Sequence, residues 1–140
     1  MTTIKLSAEK IAEQQLLTAL RLWHEEDYVS AITLSGAAEE ILGKRLRARG
    51  KESSYDNMKS VIVELSRRFD DNCPNTEKLV GDLLNSTRNE LKHYAGEEQL
   101  EFDLKEDSIE LLERAITNYT MLTGLIHDDM ISFWGAVNGD

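Results

Sequence analysis

Apolar residues recur along the chain at three- and four-residue intervals, the signature of amphipathic helices. After Ser7, a good N-cap, Ile11, Leu16, Leu17, Leu20 and Trp23 predict a first helix from about Ala8 to about Glu26. Its outward face carries Glu9, Lys10, Glu13, Gln14 and Arg21, and His24 tops its end. Asp27 caps a second helix reaching about Arg49, with Gly50 as its stop. Its inner stripe is Tyr28, Ala31, Ile32, Leu34, Ser35, Ala38, Ile41, Leu42 and Leu46. The small run Ser35-Gly36-Ala37-Ala38 lets a neighbouring helix come close, which makes this helix the centre of the packing.

A third helix is expected from an Asp56 cap, with Met58, Val61, Ile62, Leu65 and Phe69 inward and Arg67 and Arg68 complementing the dipole of its last turn. A fourth runs from about Asn75 to His93 or Tyr94, ended by Ala95-Gly96. Leu100, Phe102 and Leu104 alternate with acids over Glu97 to Glu106, which predicts an extended arm. Asp107 or Ser108 then caps a long last helix to about Trp134, with Ile109, Leu112, Ile116, Tyr119, Leu122, Leu125, Ile126, Met130 and Phe133 inward. Phe133 and Trp134 near its end are candidates for contact with another subunit. His127-Asp128-Asp129 reads as a solvated face, because consecutive helical residues point in different directions. The expected architecture is all-α: a single up-and-down bundle of about five helices over residues 1–140.

Composition narrows the function. With 140 residues, 41% hydrophobic and 30% charged, the chain suits one globular domain. No apolar run approaches the ~18 residues of a membrane span, and Met1 to Lys5 does not lead into a signal-peptide core. A single cysteine, Cys73, cannot close an internal disulfide, which fits a cytoplasmic protein. The formal net charge of −10 disfavours indiscriminate nucleic-acid binding, yet Lys44, Arg45, Arg47, Arg49 and Lys51 cluster, opposite in sign to the acidic stretch Glu97 to Asp107. There is no Gly-rich phosphate loop, no Cys-x-x-Cys pair and no His-Glu-x-x-His, so neither metal nor cofactor is expected.

The chemistry concentrates in Arg88-Asn89-Glu90-Leu91-Lys92-His93-Tyr94. On a regular helix Asn89 and His93 share a face, as do Arg88 and Lys92, whereas Arg88 and His93 stand about 140° apart at about 100° per residue. Either the helix ends near His93 or a second copy of the chain completes the site. On the second helix, Glu40 and Lys44 are four apart and so on one face; by spacing alone they form an ordinary surface ion pair.

Arg88 to His93 resembles the Arg-x(4–6)-His motif of HEPN domains, with the polar residue that commonly follows the arginine present as Asn89. Glu40-Ile41-Leu42-Gly43-Lys44 is similar to the Glu-x3-Lys/Arg motif these domains carry on an earlier helix. The likeness covers the chain from about Asp27 to about Trp134. It implies a HEPN-like bundle forming a twofold dimer, with a metal-independent endoribonuclease site of Arg88 and His93 from both copies. Asn89, Lys92, Tyr94, Glu40 and Lys44 would support the site or bind phosphate. It further implies a toxin or antiphage role, with a nucleotidyltransferase antitoxin as a partner. In such toxins a tyrosine typically stands two places after the histidine; here Tyr94 follows His93 directly. The alternative is an inactive HEPN-like module that binds a nucleotide or a protein partner.

Overall fold

The computed structural model describes residues 3–69, 91, 96 and 103–139. Among them are five helices and no strands: α1 (Ala8–His24), α2 (Tyr28–Ala48), α3 (Ser54–Phe69), α4 (Leu104–Thr123) and α5 (Asp128–Asn138). Leu91 is also helical. The rest of the predicted fourth helix, and Leu100 and Phe102 of the predicted arm, lie outside the described residues.

The first two helices begin and end where side-chain chemistry dictates. Ser7 accepts the Lys10 amide at 3.1 Å and Asp27 the Ser30 amide at 3.2 Å, each satisfying an orphan donor of a first turn. Both helices close in the same way. The Asp27 amide returns to the Leu22 carbonyl and the Lys51 amide to Leu46, with Glu26 (φ 65°) and Gly50 (φ 74°) in the left-handed conformation. This is the Schellman arrangement, which glycine adopts without steric cost and Glu26 does not.

α2 is central, packing against both α1 and α4. Ser35, Gly36 and Ala38 are buried on it, and the Ser35 hydroxyl donates to the Ala31 carbonyl at 2.6 Å, so a small polar residue enters the core without an unmet hydrogen bond. Ala12, Leu16, Ala19, Leu20 and Trp23 of α1 meet Ala31, Ala38, Leu42 and Leu46 of α2 and Leu112, Ala115, Tyr119 and Leu122 of α4 in one cluster. Ile11, predicted inward, is exposed because Ala12 occupies the contact face beside it. Nor is the outer face of α1 idle: Glu13 accepts the Tyr119 hydroxyl at 2.7 Å, and Glu9 pairs with both Arg45 and Arg49.

Three boundaries depart from expectation. Ser53, not Asp56, caps α3. The Ser53 hydroxyl accepts the Asp56 amide at 3.0 Å while the Asp56 carboxylate accepts the Ser53 amide at 3.4 Å, a capping box that places Asp56 one turn inside. Asp103 caps α4 by accepting the Glu106 amide, so Leu104 to Glu106 form its first turn and not the end of an arm. The predicted long last helix is two helices. Gly124, at φ 73°, ends α4, and His127 starts α5, its Nδ1 accepting the Asp129 amide at 3.2 Å.

That break explains the fate of the predicted inner residues. Leu125 and Ile126 lie in the link and are exposed, whereas Met130 and Phe133 turn back into the core. The Phe133 ring meets Trp23 edge-on at 4.8 Å, so it is committed within its own chain; Trp134 remains exposed. On α3, Met58 is half-buried and Val63, off the predicted stripe, is buried. The side chains of Val61, Ile62, Leu65, Arg67, Arg68 and Phe69 are outside the described set. No helix of the described residues is long and apolar enough to cross a membrane.

Candidate functional site

Of the residues singled out in the sequence, Arg88, Asn89, Lys92, His93 and Tyr94 lie outside the described residues. Glu40 and Lys44 are described. They stand one turn apart on α2, and the Lys44 ammonium lies 3.4 Å from the Glu40 carboxylate. Both side chains are well exposed, at 69% for Lys44 and 42% for Glu40, so the pair contributes about 0.3–0.5 kcal/mol, as surface pairs at this spacing do.

The pair sits at the mouth of a cleft of about 160 Å³ between α2 and the start of α3, whose lining includes Glu39, Gly43, Arg47, Ser53 and Tyr55. Each wall is fixed by a specific contact. Arg47 donates from Nε and Nη2 to the two Asp56 oxygens at 2.6 and 2.9 Å. This bidentate bond holds the Asp56 carboxyl below its ordinary range and raises Arg47 further above its own. Beside them Gly43 abuts Ser53: a methyl group there would lie 3.4 Å from the Ser53 Cβ.

Beneath the cleft lies a polar core that the sequence reading missed. Glu39 of α2 and Arg114 of α4 form an ion pair with both side chains almost wholly buried. The Arg114 guanidinium also stands 5.3 Å from the centre of the Tyr55 ring, within cation–π range. Asn118, fully buried one turn further along α4, bridges the other two helices. Its side-chain oxygen accepts the Ser54 amide at 2.7 Å, and its side-chain nitrogen donates to the Glu39 carbonyl at 3.4 Å. Helices α2, α3 and α4 are thereby joined at one place.

A signal for this core does exist in the sequence. Glu39 falls in phase with Ser35, Leu42 and Leu46, and Arg114 with Leu111, Ala115, Asn118 and Leu122, all of them buried. A charged residue in the apolar phase of each of two helices, with opposite signs, points to a buried pair.

A larger cleft, about 500 Å³, lies between the end of α1 and the start of α5, with Leu17 and Leu20 in its wall and Arg21, His24, Glu25 and Asp129 among its polar residues. It includes neither Glu40 nor Lys44. Among the described residues no group of three or more His, Cys, Asp or Glu side chains is gathered as a metal site. Comparisons with protein-family models, with curated proteins and with solved structures return no match to this chain.

Proposed function

We propose that the protein is a metal-independent HEPN-type endoribonuclease acting as a homodimer. The observation that carries this reading is the co-occurrence of the Arg88–His93 motif and the Glu40–Lys44 motif in one chain. The all-helical arrangement of the described residues supports it, as does the position of Glu40 and Lys44 on the central helix beside a cleft.

The chemistry follows from the side chains. His93 takes the proton of an RNA 2′-hydroxyl, since imidazole titrates in the physiological range. The 2′-oxygen then attacks the adjacent phosphorus as the bond to the 5′-oxygen of the next nucleotide breaks, and that oxygen takes a proton from water. The products are a 2′,3′-cyclic phosphate and a 5′-hydroxyl. Arg88, which keeps its charge throughout, stabilises the crowded phosphorane oxygens through paired N–H bonds. Asn89 orients His93 or the phosphate, while Lys92 and Tyr94 supply further phosphate contacts. Two copies facing across a twofold axis bring together the Arg88 and His93 that one regular helix would hold apart. A toxin or antiphage setting, with a nucleotidyltransferase antitoxin as partner, fits such an activity.

Two measurements test the mechanism and the assembly. An oligonucleotide carrying one 2′-deoxynucleotide at the cut position should resist cleavage there and be cut elsewhere, because its nucleophile is missing. Light scattering should give a dimer at micromolar concentration; a monomer that still cleaves would sink the shared site.

A further inference from the structure

We infer that the cleft between α2 and α3 is a subsite for one unpaired nucleotide of the RNA strand, its base against Tyr55 and its flanking phosphates on Lys44 and Lys59. This rests on the ribonuclease reading for its choice of ligand and on the geometry of the cleft for its place.

Charge comes first. In a chain of net charge −10, the stretch from Lys44 to Lys59 holds Lys44, Arg45, Arg47, Arg49, Lys51 and Lys59 against only Glu52 and Asp56. This stretch is locally basic within an acidic chain, which favours an approaching polyanion, although Glu39 and Glu40 also line the cleft. Not all of these cations can turn to a ligand. Arg47 is bound in bidentate fashion by Asp56, and Arg45 and Arg49 share Glu9. Lys44 is paired with Glu40 on the exposed surface, an ion pair that a phosphate can replace at little cost.

Shape and chemistry then select the ligand. A cleft of about 160 Å³ is well below the size that encloses a drug-like molecule, and it admits one ring or one sugar. Tyr55 is half-buried, with its ring placed by the Arg114 guanidinium. The Lys59 ammonium is 6.0 Å from the centre of the same ring, at the outer limit of a cation–π contact. A base lying on the ring would displace that ammonium towards the base's own phosphate. An aromatic ring flanked by lysines on a pre-fixed wall is the arrangement by which proteins hold single strands. Behind it the buried Glu39–Arg114 pair carries no net charge to oppose the phosphates.

Fluorescence anisotropy with a labelled single-stranded 2′-O-methyl RNA, which cannot be cleaved by its own 2′-oxygen, separates binding from catalysis. Tyr55→Leu should weaken binding about tenfold, within the range for loss of one stacked base. Lys44→Ala should weaken it less and reduce the slope of log K against log salt by about 0.7, the value for one phosphate contact on a single strand. Because Tyr55 also touches Arg114, variants at the exposed Lys44 and the half-buried Lys59, Lys44→Ala and Lys59→Ala, give an answer even if Tyr55→Leu does not fold. Unchanged affinity and salt slope in both lysine variants would overturn the subsite. So would tighter, Lys44-dependent binding of a polyglutamate peptide than of RNA, which would make the surface one for acidic proteins. The two proposals fail separately. RNA binding that depends on Lys44 and Lys59, without cleavage that depends on Arg88 and His93, leaves the subsite and removes the nuclease. Cleavage that depends on Arg88 and His93 but is indifferent to Lys44 and Lys59, in binding as in rate, does the reverse.

Discussion

Glu39 on α2 and Arg114 on α4 are joined as an ion pair inside the helical packing, with 5% and 3% of their side chains exposed. Neither charge can regain water if the other is removed. Arg114→Met should therefore destabilise the fold in urea titrations, by up to about 3–5 kcal/mol, because it takes an ion-pair partner from a buried carboxylate. Replacing both residues by Met should recover part of that loss, since the Glu39 charge is then gone as well. A double variant no better than the single would mean that the pair's geometry, and not its charge, holds α2 to α4.

Gly124 provides a test whose sign is informative. At φ 73° it ends α4 in a conformation that a Cβ disfavours. Gly124→Ala should lower stability by about 1 kcal/mol. Were residues 108–134 one continuous helix, the same change would raise stability by about as much, because alanine is the better helix former. Thermal unfolding of the two proteins side by side decides between them.

That break shows where sequence patterning loses its hold. Periodicity located α1 and α2 to within a residue or two, because Ser7, Asp27 and Gly50 punctuate them chemically. It ran straight through Gly124 because Met130 and Phe133 continue the apolar phase from Leu122, and one glycine does not by itself end a helix. Asp56 is of a good capping type, but Ser53, of an equally good one, stands three residues before it, and the two cap reciprocally. The Glu40–Lys44 pair was legible from its spacing. The Glu39–Arg114 pair was only half legible: the apolar phase of each helix marks each residue as a buried charge, but its partner is distant in sequence. Nothing in the local pattern says that α2 and α4 are neighbours.

Asn118 should be as sensitive as a core leucine despite being polar. It satisfies the Ser54 amide at the start of α3 and donates to the Glu39 carbonyl. Asn118→Leu takes that partner from the part-buried Ser54 amide and from the Glu39 carbonyl and should cost about 1–3 kcal/mol, the scale of one unsatisfied group. Asn118→Asp, which keeps the acceptor for Ser54 but buries a carboxylate against the Glu39 carbonyl, should cost no less at pH 7. An Asn118→Leu variant as stable as the parent would show that the link to α3 carries little weight.

Acid should weaken the fold through specific carboxylates. The Arg47 hydrogen bonds hold Asp56 below its ordinary value, and the Tyr119 hydroxyl does the same for Glu13. A carboxyl whose folded pKa is depressed contributes stability that is fully present above its unfolded value, near 4. That contribution disappears as pH falls through the folded value. Melting temperature should thus hold from neutrality to about pH 5 and decline below it. Asp56→Asn should melt lower at pH 7 and lose less on acidification. A variant whose melting curve tracks the parent at every pH would remove Asp56 from this account.

The central claim is that Arg88 and His93 cleave RNA without a metal. Its most direct test is the purified protein on single-stranded RNA in EDTA, beside Arg88→Ala and His93→Ala prepared in the same way. The account predicts cleavage by the parent, with 2′,3′-cyclic phosphate ends, and at least a hundredfold slower cleavage by each variant, the scale of one lost acid–base or charge-stabilising group. No cleavage by the parent, or equal rates in all three proteins, would contradict it.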